Sequence, residues 1–342
     1  MPLLRRRNAD VAFRSLRVNP TYTVLLPVKR ERGEVIEKTV RSVLGQTAKP
    51  RKVLILVDSE DAETAREACK VAEKFERVEV KVFRNGCKAE ALNRAVRWVE
   101  SEYVLLMDAG DLFADKSCVE KLLRKAVEKD AEAVHSKLVV EGCGWRKMLG
   151  LEFQLWSGWI LEKVYRGMRT FPLSGTGTLV KREFLLRNPF PETLTEDAGL
   201  GVKVKNPTVA SECKLIYNLP PKLKHHLKQR ARWLAGYIQN VKIAENLSQK
   251  YFYASCVAVQ LLTPISILLM PFTMLLVPYG YPWILIDFAA SAWLLAYITL
   301  ATLKLRTLRA ALLPFWWVLS GLSAFIAPIY AKNGKWYHSP KT

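Results

Sequence analysis

Acidic side chains recur in this sequence just where apolar runs end. Asp58 closes the run VLILVD, and Asp108 and Asp111 lie in LLMDAGD. A carboxylate so placed can accept hydrogen bonds from a polar ligand, take up a proton or hold a hard divalent cation. Glu196 and Asp197 stand side by side in TED, and Lys88 opens the stretch KAEALNRAV. A lysine near a helix start can neutralise a phosphate, with the helix N-terminus adding its own favourable field. Gln229, Arg232 and Trp233 are spaced i, i+3 and i+4, which on a helix puts all three on one face. The run Ser174-Gly175-Thr176-Gly177 lets backbone come close to a ligand, because glycine leaves the room.

The elements that must position these residues follow from periodicity. Thr21–Pro27, Lys52–Val57, Val78–Phe83 and Tyr103–Met107 are short runs rich in Val, Leu and Ile, or alternate at period two. Between them Gly33–Leu44, Glu63–Phe75 and Lys88–Val99 repeat apolar residues at three and four. Strand–helix–strand alternation predicts an α/β domain built on a parallel, doubly wound sheet. Ligands of such sheets bind outside the carboxyl ends of the strands. There the sequence places Lys29-Arg30-Glu31, Asp58-Ser59-Glu60-Asp61 and Asp108-Ala109-Gly110-Asp111, so three charged clusters converge on one rim. Beyond residue 140, Trp145–Gly167 carries Trp145, Trp156 and Trp159 between basic ends. It fits either an interfacial helix or one packed on the sheet. Lys222–Ala244 is a second basic amphipathic stretch, entered through Pro220-Pro221, and an interfacial position is expected for it.

Charge divides the 342 residues sharply. All but one of the 32 acidic residues and all but six of the 52 basic ones lie in residues 1–250. From Tyr251 to Ala331 only Asp287, Lys304, Arg306 and Arg309 are charged. The first part is ample for one large α/β domain, and the second for two or three membrane spans at about 20 residues each. Spans are expected at Tyr251–Val277, Trp283–Leu303 and Ala310–Ala331. The basic loop Lys304–Arg309 belongs in the cytosol and the uncharged Pro278–Pro282 outside. Three full spans would then export Lys332, Lys335 and Lys341, so the third segment, with Pro314 and Pro328, is a candidate for a re-entrant or interfacial course. MPLLRRR lacks the apolar region of a secretory signal, and Arg5, Arg6 and Arg7 suit an anionic membrane surface. Six scattered cysteines point to reduced thiols and a cytosolic face. The net charge of +20 comes from bases interleaved with acids, without the stripe that nucleic acid requires. His135, His225, His226 and His338 make no metal-ligand grouping, and no serine-hydrolase elbow or Walker A loop occurs.

Taken in order over about residues 20–250, these motifs resemble an inverting, membrane-bound member of glycosyltransferase family 2. That group includes cellulose, chitin and hyaluronan synthases and related lipid glycosyltransferases. The resemblance implies a GT-A (Rossmann-like nucleotide-diphospho-sugar transferase) domain over 1–218 and an interfacial helix bearing Q-x-x-R-W over 219–250. About three transmembrane helices over 251–331 and a basic tail over 332–342 would follow. It assigns Pro27, Lys29, Glu31, Asp58, Lys88 and Asp108 to the nucleotide, and Gly175, Thr176 and Glu196 to the acceptor side. Asp197 becomes the base, while Gln229, Arg232 and Trp233 meet the leaving diphosphate and the sugar. Family members usually write D-x-D where this sequence has Asp108-Ala109-Gly110. Either Asp111 replaces the second acid, or Asp108 alone holds Mg²⁺ or Mn²⁺ with diphosphate and water. The D-x-G spelling is similar to that of the ceramide glucosyltransferase branch, which implies a lipid acceptor.

The expected activity is transfer of a sugar from a nucleotide-sugar, a UDP-sugar by resemblance, to a hydroxyl of a lipid at the cell membrane. A processive β-polysaccharide synthase, acting on a glycan acceptor, is the first alternative. A membrane protein that binds nucleotide or glycan without turnover is the second.

Overall fold

The computed structural model describes residues 20–155, 173–276 and 298–333, with single positions at 285, 292, 295 and 296. In chain order the elements are β1 (Tyr22–Val28), α1 (Gly33–Leu44), β2 (Val53–Asp58), α2 (Ala62–Ala72), β3 (Val78–Phe83), α3 (Lys88–Val96) and β4 (Tyr103–Leu106). Next come β5 (Leu112–Phe113), α4 (Cys118–Lys129), β6 (Ala133–Val139), α5 (Trp145–Leu155), β7 (Thr178–Lys181), α6 (Arg182–Arg187), α7 (Glu196–Gly201) and β8 (Pro207–Ile216). Helices α8 (Leu223–Ile243) and α9 (Leu247–Leu276) follow, and a 3-10 turn at Leu308–Leu312 leads into α10 (Leu313–Gly321) and α11 (Ser323–Asn333).

Alternating side chains feed two apolar layers. Val24, Leu26, Val53, Ile55 and Leu105 enter the layer covered by α1, α2 and α4. Leu25, Leu54, Leu56, Val104 and Leu106 enter the layer covered by α3 and α6. The four expected strands and three expected helices are all present, with α1 and β3 at their expected bounds. Helix α2 starts at Ala62 because the Asp61 side chain accepts the Thr64 N–H and caps it there.

The sheet runs β3-β2-β1-β4-β7-β6-β8-β5; β1 to β4, the strands read from the sequence, are parallel as expected, and the later strands add antiparallel pairings. β7 is antiparallel to β4 and β6, and β5 is antiparallel to β8. The chain enters β7 from the carboxyl edge of β4, where Gly177 N–H donates to Leu106 O at 2.8 Å. A strand entered from that edge must run back against its neighbour.

Leu247–Leu269 and Leu308–Ile329, of 23 and 22 residues, are long and apolar enough to cross a membrane. The expected span Trp283–Leu303 lies mostly outside the described residues, as do Arg5–Arg7, Trp156, Trp159 and the chain beyond 333. The third apolar segment is broken: Pro314 stands at the start of α10, and Leu322 separates α10 from α11. Both ends of this region are fastened to the domain. Phe252 and Tyr253 of α9 enter the second apolar layer, and Tyr253 Oη donates to Ala198 O at 2.8 Å. Leu149, Leu151 and Leu155 of α5 bury against Ala310, Leu313 and Trp316. Gly321 lets α10 approach α9 at Pro264, where a Cβ would collide.

Fully buried His226 of α8 packs against the rings of both Trp145 and Trp316, at 5.4 and 5.9 Å between centroids, and those two rings also touch each other. Burial, reinforced by the Arg230 charge, pushes this histidine from 6.5 down to about 3. Between those values the unfolded chain binds a proton that the folded chain does not. Stability is therefore complete above pH 6.5 and falls as the pH drops towards 3, at about 1.4 kcal/mol per unit. His226→Phe keeps a ring in the stack and should flatten the fall of the thermal midpoint across that window. An unchanged pH slope would show that another group titrates.

Candidate active site

The carboxyl ends of β2, β1 and β4 lie side by side, and the charged residues that close them share one edge. Lys29 Nζ, just beyond β1, lies 3.7 Å from Oδ2 of buried Asp58. Pro27 is half-buried in β1, and the N–H of buried Glu31 donates to Thr64 Oγ1 at 3.1 Å. These four residues form the outer part of the rim, over β1 and β2.

The inner part is organised by Lys88, the first residue of α3. Its Nζ donates to Asp108 Oδ1 at 2.8 Å and sits 3.3 Å from Glu196 Oε1. Asp197 is held beside it, its Oδ2 accepting the Gly175 N–H at 2.6 Å. The glycine is needed there, because a Cβ at 175 would stand 2.8 Å from Lys88 Nζ and 3.1 Å from Asp197 Oδ2. Thr176 closes the group by accepting the Asp108 N–H on Oγ1 at 3.2 Å. Burial opposes the charge on Lys88, but Asp108, then Glu196 and Asp197, outweigh it and hold the ammonium well above the ordinary lysine range. Burial is also the main influence on Glu196, and with the Asp197 charge it raises that carboxyl against the pull of Lys88 and Arg232.

The departure at position 110 has a steric cause. Gly110 has φ +86°, and a Cβ there would collide with the Asn218 side chain. Its N–H donates to Thr39 Oγ1 at 2.7 Å, so the turn is also held from α1. Asp111, expected beside Asp108 as a second ion ligand, is instead fully buried and accepts the Asn218 N–H at 2.8 Å. Asp108 keeps 28% of its side chain exposed. Among the described residues no three His, Cys, Asp or Glu side chains gather closely enough to hold an ion alone. The half-buried Asp108 carboxylate nonetheless suits a hard cation that completes its shell with ligand and water oxygens.

Helix α8 grips Leu194 and Thr195, the residues that lead into Glu196 and Asp197 at the start of α7. Arg232 Nη1 donates to Leu194 O at 2.7 Å, and Leu194 N–H donates to Gln239 Oε1 at 2.8 Å. Asn240 Nδ2 donates to Thr195 Oγ1 at 3.0 Å, and Gly236 lies so close that a Cβ would strike Thr195. Gln229 Nε2 donates to Tyr217 Oη at 3.0 Å, and Trp233 packs near Phe153 and His226. The structure thus brings Lys88, Asp108, Gly175, Thr176, Glu196 and Asp197 into one cluster, with Arg232 tied to it through Leu194. Tyr217, Asn218, Gln239 and Asn240 were not foreseen. Each acts across a long stretch of chain, and no local spacing marks it.

Comparison with known proteins finds the pattern of glycosyl transferase family 2 across residues 23–187. Poly-β-1,6-N-acetyl-D-glucosamine synthase of Staphylococcus aureus is 25% identical over 231 residues, 63% of this chain and 54% of that protein. The chain therefore spans about half the length of the curated relatives it matches. Among solved structures, the mannosyltransferase PcManGT from Pyrobaculum calidifontis, in complex with GDP-Man and Mn²⁺, superposes with a TM-score of 0.63 at 18% identity. The likeness covers 93% of this chain and 89% of that one, and is one of fold.

Gly110→Asp, which restores the two-acid spacing, should destabilise the domain by at least about 1–2 kcal/mol, the cost of a left-handed backbone for a residue with a Cβ. Adding Asn218→Ala should recover part of the loss by clearing the collision. Chemical denaturation of the three proteins measures both. A Gly110→Asp domain as stable as the parent would refute the steric account.

Proposed function

We propose, from the premise that residues 23–187 form a glycosyltransferase family 2 domain of the GT-A fold, that this chain adds a sugar to a membrane lipid. The donor in this reading is a nucleotide-sugar with a uridine base, the acceptor is a lipid hydroxyl, and the anomeric centre inverts. The observation that carries the reading is the Lys88 cluster, an ammonium and three carboxylates gathered at the carboxyl edge of the sheet beside the start of α3. Asp58, Lys29, Pro27 and Glu31 then receive the nucleoside, and Lys88 with the α3 N-terminus receives the diphosphate. Asp197, oriented by the Gly175 N–H, takes the acceptor hydroxyl's proton. The new bond from that oxygen to the anomeric carbon forms as the bond to the diphosphate breaks. Glu196, Gly175 and Thr176 border the acceptor, Arg232 steadies the departing diphosphate, and Gln229 and Trp233 border the sugar.

Asp108 would hold a divalent cation, Mg²⁺ or Mn²⁺, which when bound neutralises diphosphate charge. Three carboxylates against Lys88 and Arg232 leave local negative charge that favours such an ion. Mn²⁺ accompanies GDP-Man in the mannosyltransferase of like fold. The two apolar helices and the basic start of α8 support a multi-pass protein of the cell membrane with its domain in the cytosol. A second reading, a processive enzyme that extends a β-linked polysaccharide, is favoured by the likeness to the poly-β-1,6-N-acetyl-D-glucosamine synthases.

Asp197→Asn should lower transfer from radiolabelled nucleotide-sugar to a lipid extract by about 10²–10⁴-fold, the usual worth of a positioned base. Nucleotide binding by calorimetry should persist; full activity would sink the base assignment. GDP-sugars run beside UDP-sugars test the donor. Label retained as high-mass polymer without added lipid would decide for the polysaccharide reading. Asp111→Asn should leave the Mn²⁺ concentration for half-maximal transfer unchanged, whereas a marked shift would return Asp111 to the ion.

A further inference from the structure

Glu152 is used by none of this chemistry, yet it is set deep in the protein with three ordered donors around it. Arg230 Nη1 and Nη2 grip its two oxygens at 2.7 Å each, and Trp316 Nε1 donates to Oε2 at 2.7 Å. Its side chain is 16% exposed, that of Arg230 11%, and Trp316 is 4% exposed. The three residues come from α5, α8 and α10, so a single carboxylate joins the domain, the Q-x-x-R-W helix and the apolar tail. The stacked rings of Trp145, His226 and Trp316 surround the junction.

Burying an ion pair rarely adds net stability over apolar packing, and its better-attested use is to define a register. The register at stake is that of α8. Arg230 sits between Gln229 and Arg232, about 100° around the helix from the first. A two-point guanidinium–carboxylate fork restrains the helix against both rotation and sliding. On its other sides α8 holds Leu194 and Thr195 through Arg232, Gln239 and Asn240, and these residues lead directly into Glu196 and Asp197.

We propose that Glu152 is a positioning residue for sugar transfer: through Arg230 it sets α8 and hence the start of α7 with Asp197, and through Trp316 it makes that setting depend on the docked tail segment. The inference rests on the functional reading above. A shift of α8 by a fraction of an ångström would carry the proposed base away from the acceptor while leaving the nucleotide residues on β1 and β2 where they are. The catalytic constant should therefore suffer more than donor affinity.

The test uses the full chain in detergent micelles with bilayer lipid. Glu152→Gln leaves Arg230 buried without its counter-charge, and should lower both the thermal midpoint and kcat. Glu152→Gln with Arg230→Gln removes both charges and should restore most of the midpoint. On this proposal kcat stays down about tenfold or more, with donor KM within about threefold of the parent. Trp316→Phe keeps the ring stack, deletes the donor, and should lower kcat with little change in midpoint. A double variant that regains both midpoint and kcat would overturn the proposal, as would a Trp316→Phe enzyme of full kcat. A parent protein that transfers no sugar from any donor would overturn the functional reading itself, and the positioning role with it.

Discussion

The attraction between one shielded ammonium and the carboxylates around it governs the architecture of the rim. Asp108 comes from just beyond β4, while Glu196 and Asp197 open α7 some ninety residues later. Carboxylates this close repel unless a cation stands among them, and with only part of the cluster open to water the repulsion is weakly screened. Lys88 supplies that cation from the first turn of α3, with 12% of its side chain exposed. Removing it would leave the acids facing one another, and removing an acid would take away part of what keeps the shielded lysine charged. The group is therefore a unit in which each member requires the others.

Such crowding sets demands on the backbone. Gly175 must be bare because Lys88 and Asp197 occupy the space of its side chain. Gly236 must be bare so that α8 can lie against Thr195. Gly110 adopts a left-handed turn beneath Asn218, and Asp111, the next acid in the turn, faces inward to accept the Asn218 N–H. The D-x-G spelling is thus bound up with tertiary contacts to residue 218 and to Thr39, and it leaves Asp108 as the more accessible carboxylate of the turn.

The apolar part of the chain is no loose appendage. Tyr253 and Phe252 reach under the sheet, Trp316 reaches to Glu152, and α11 packs along α8. Apolar surface and a buried ion pair join the tail to the same helix that steadies the acidic start of α7. Mechanical continuity from tail to rim follows from this sharing of α8, without any moving element being required.

Much of this was legible in the residues alone. Strand and helix periodicity located β1 to β4 and α1 to α3, because each of these elements is determined by its own pattern of burial on one or two faces. Lys88, Asp108, Asp197 and Arg232 could be singled out because each sits in a short polar segment, and the fold does gather Lys88 with the acids. The antiparallel course of β7 was not, since direction depends on which edge the chain returns to, and a strand of four residues carries no mark of it. Nor were Glu152, Tyr217, Asn218 and Asn240, whose roles exist only across contacts that bridge distant segments. The sequence by itself determined the elements, the chemical types at the rim and the apolar character of the tail. Only the tertiary structure decided which acids share one lysine and which acid is turned inward, because those outcomes depend on distances between segments that no local pattern encodes.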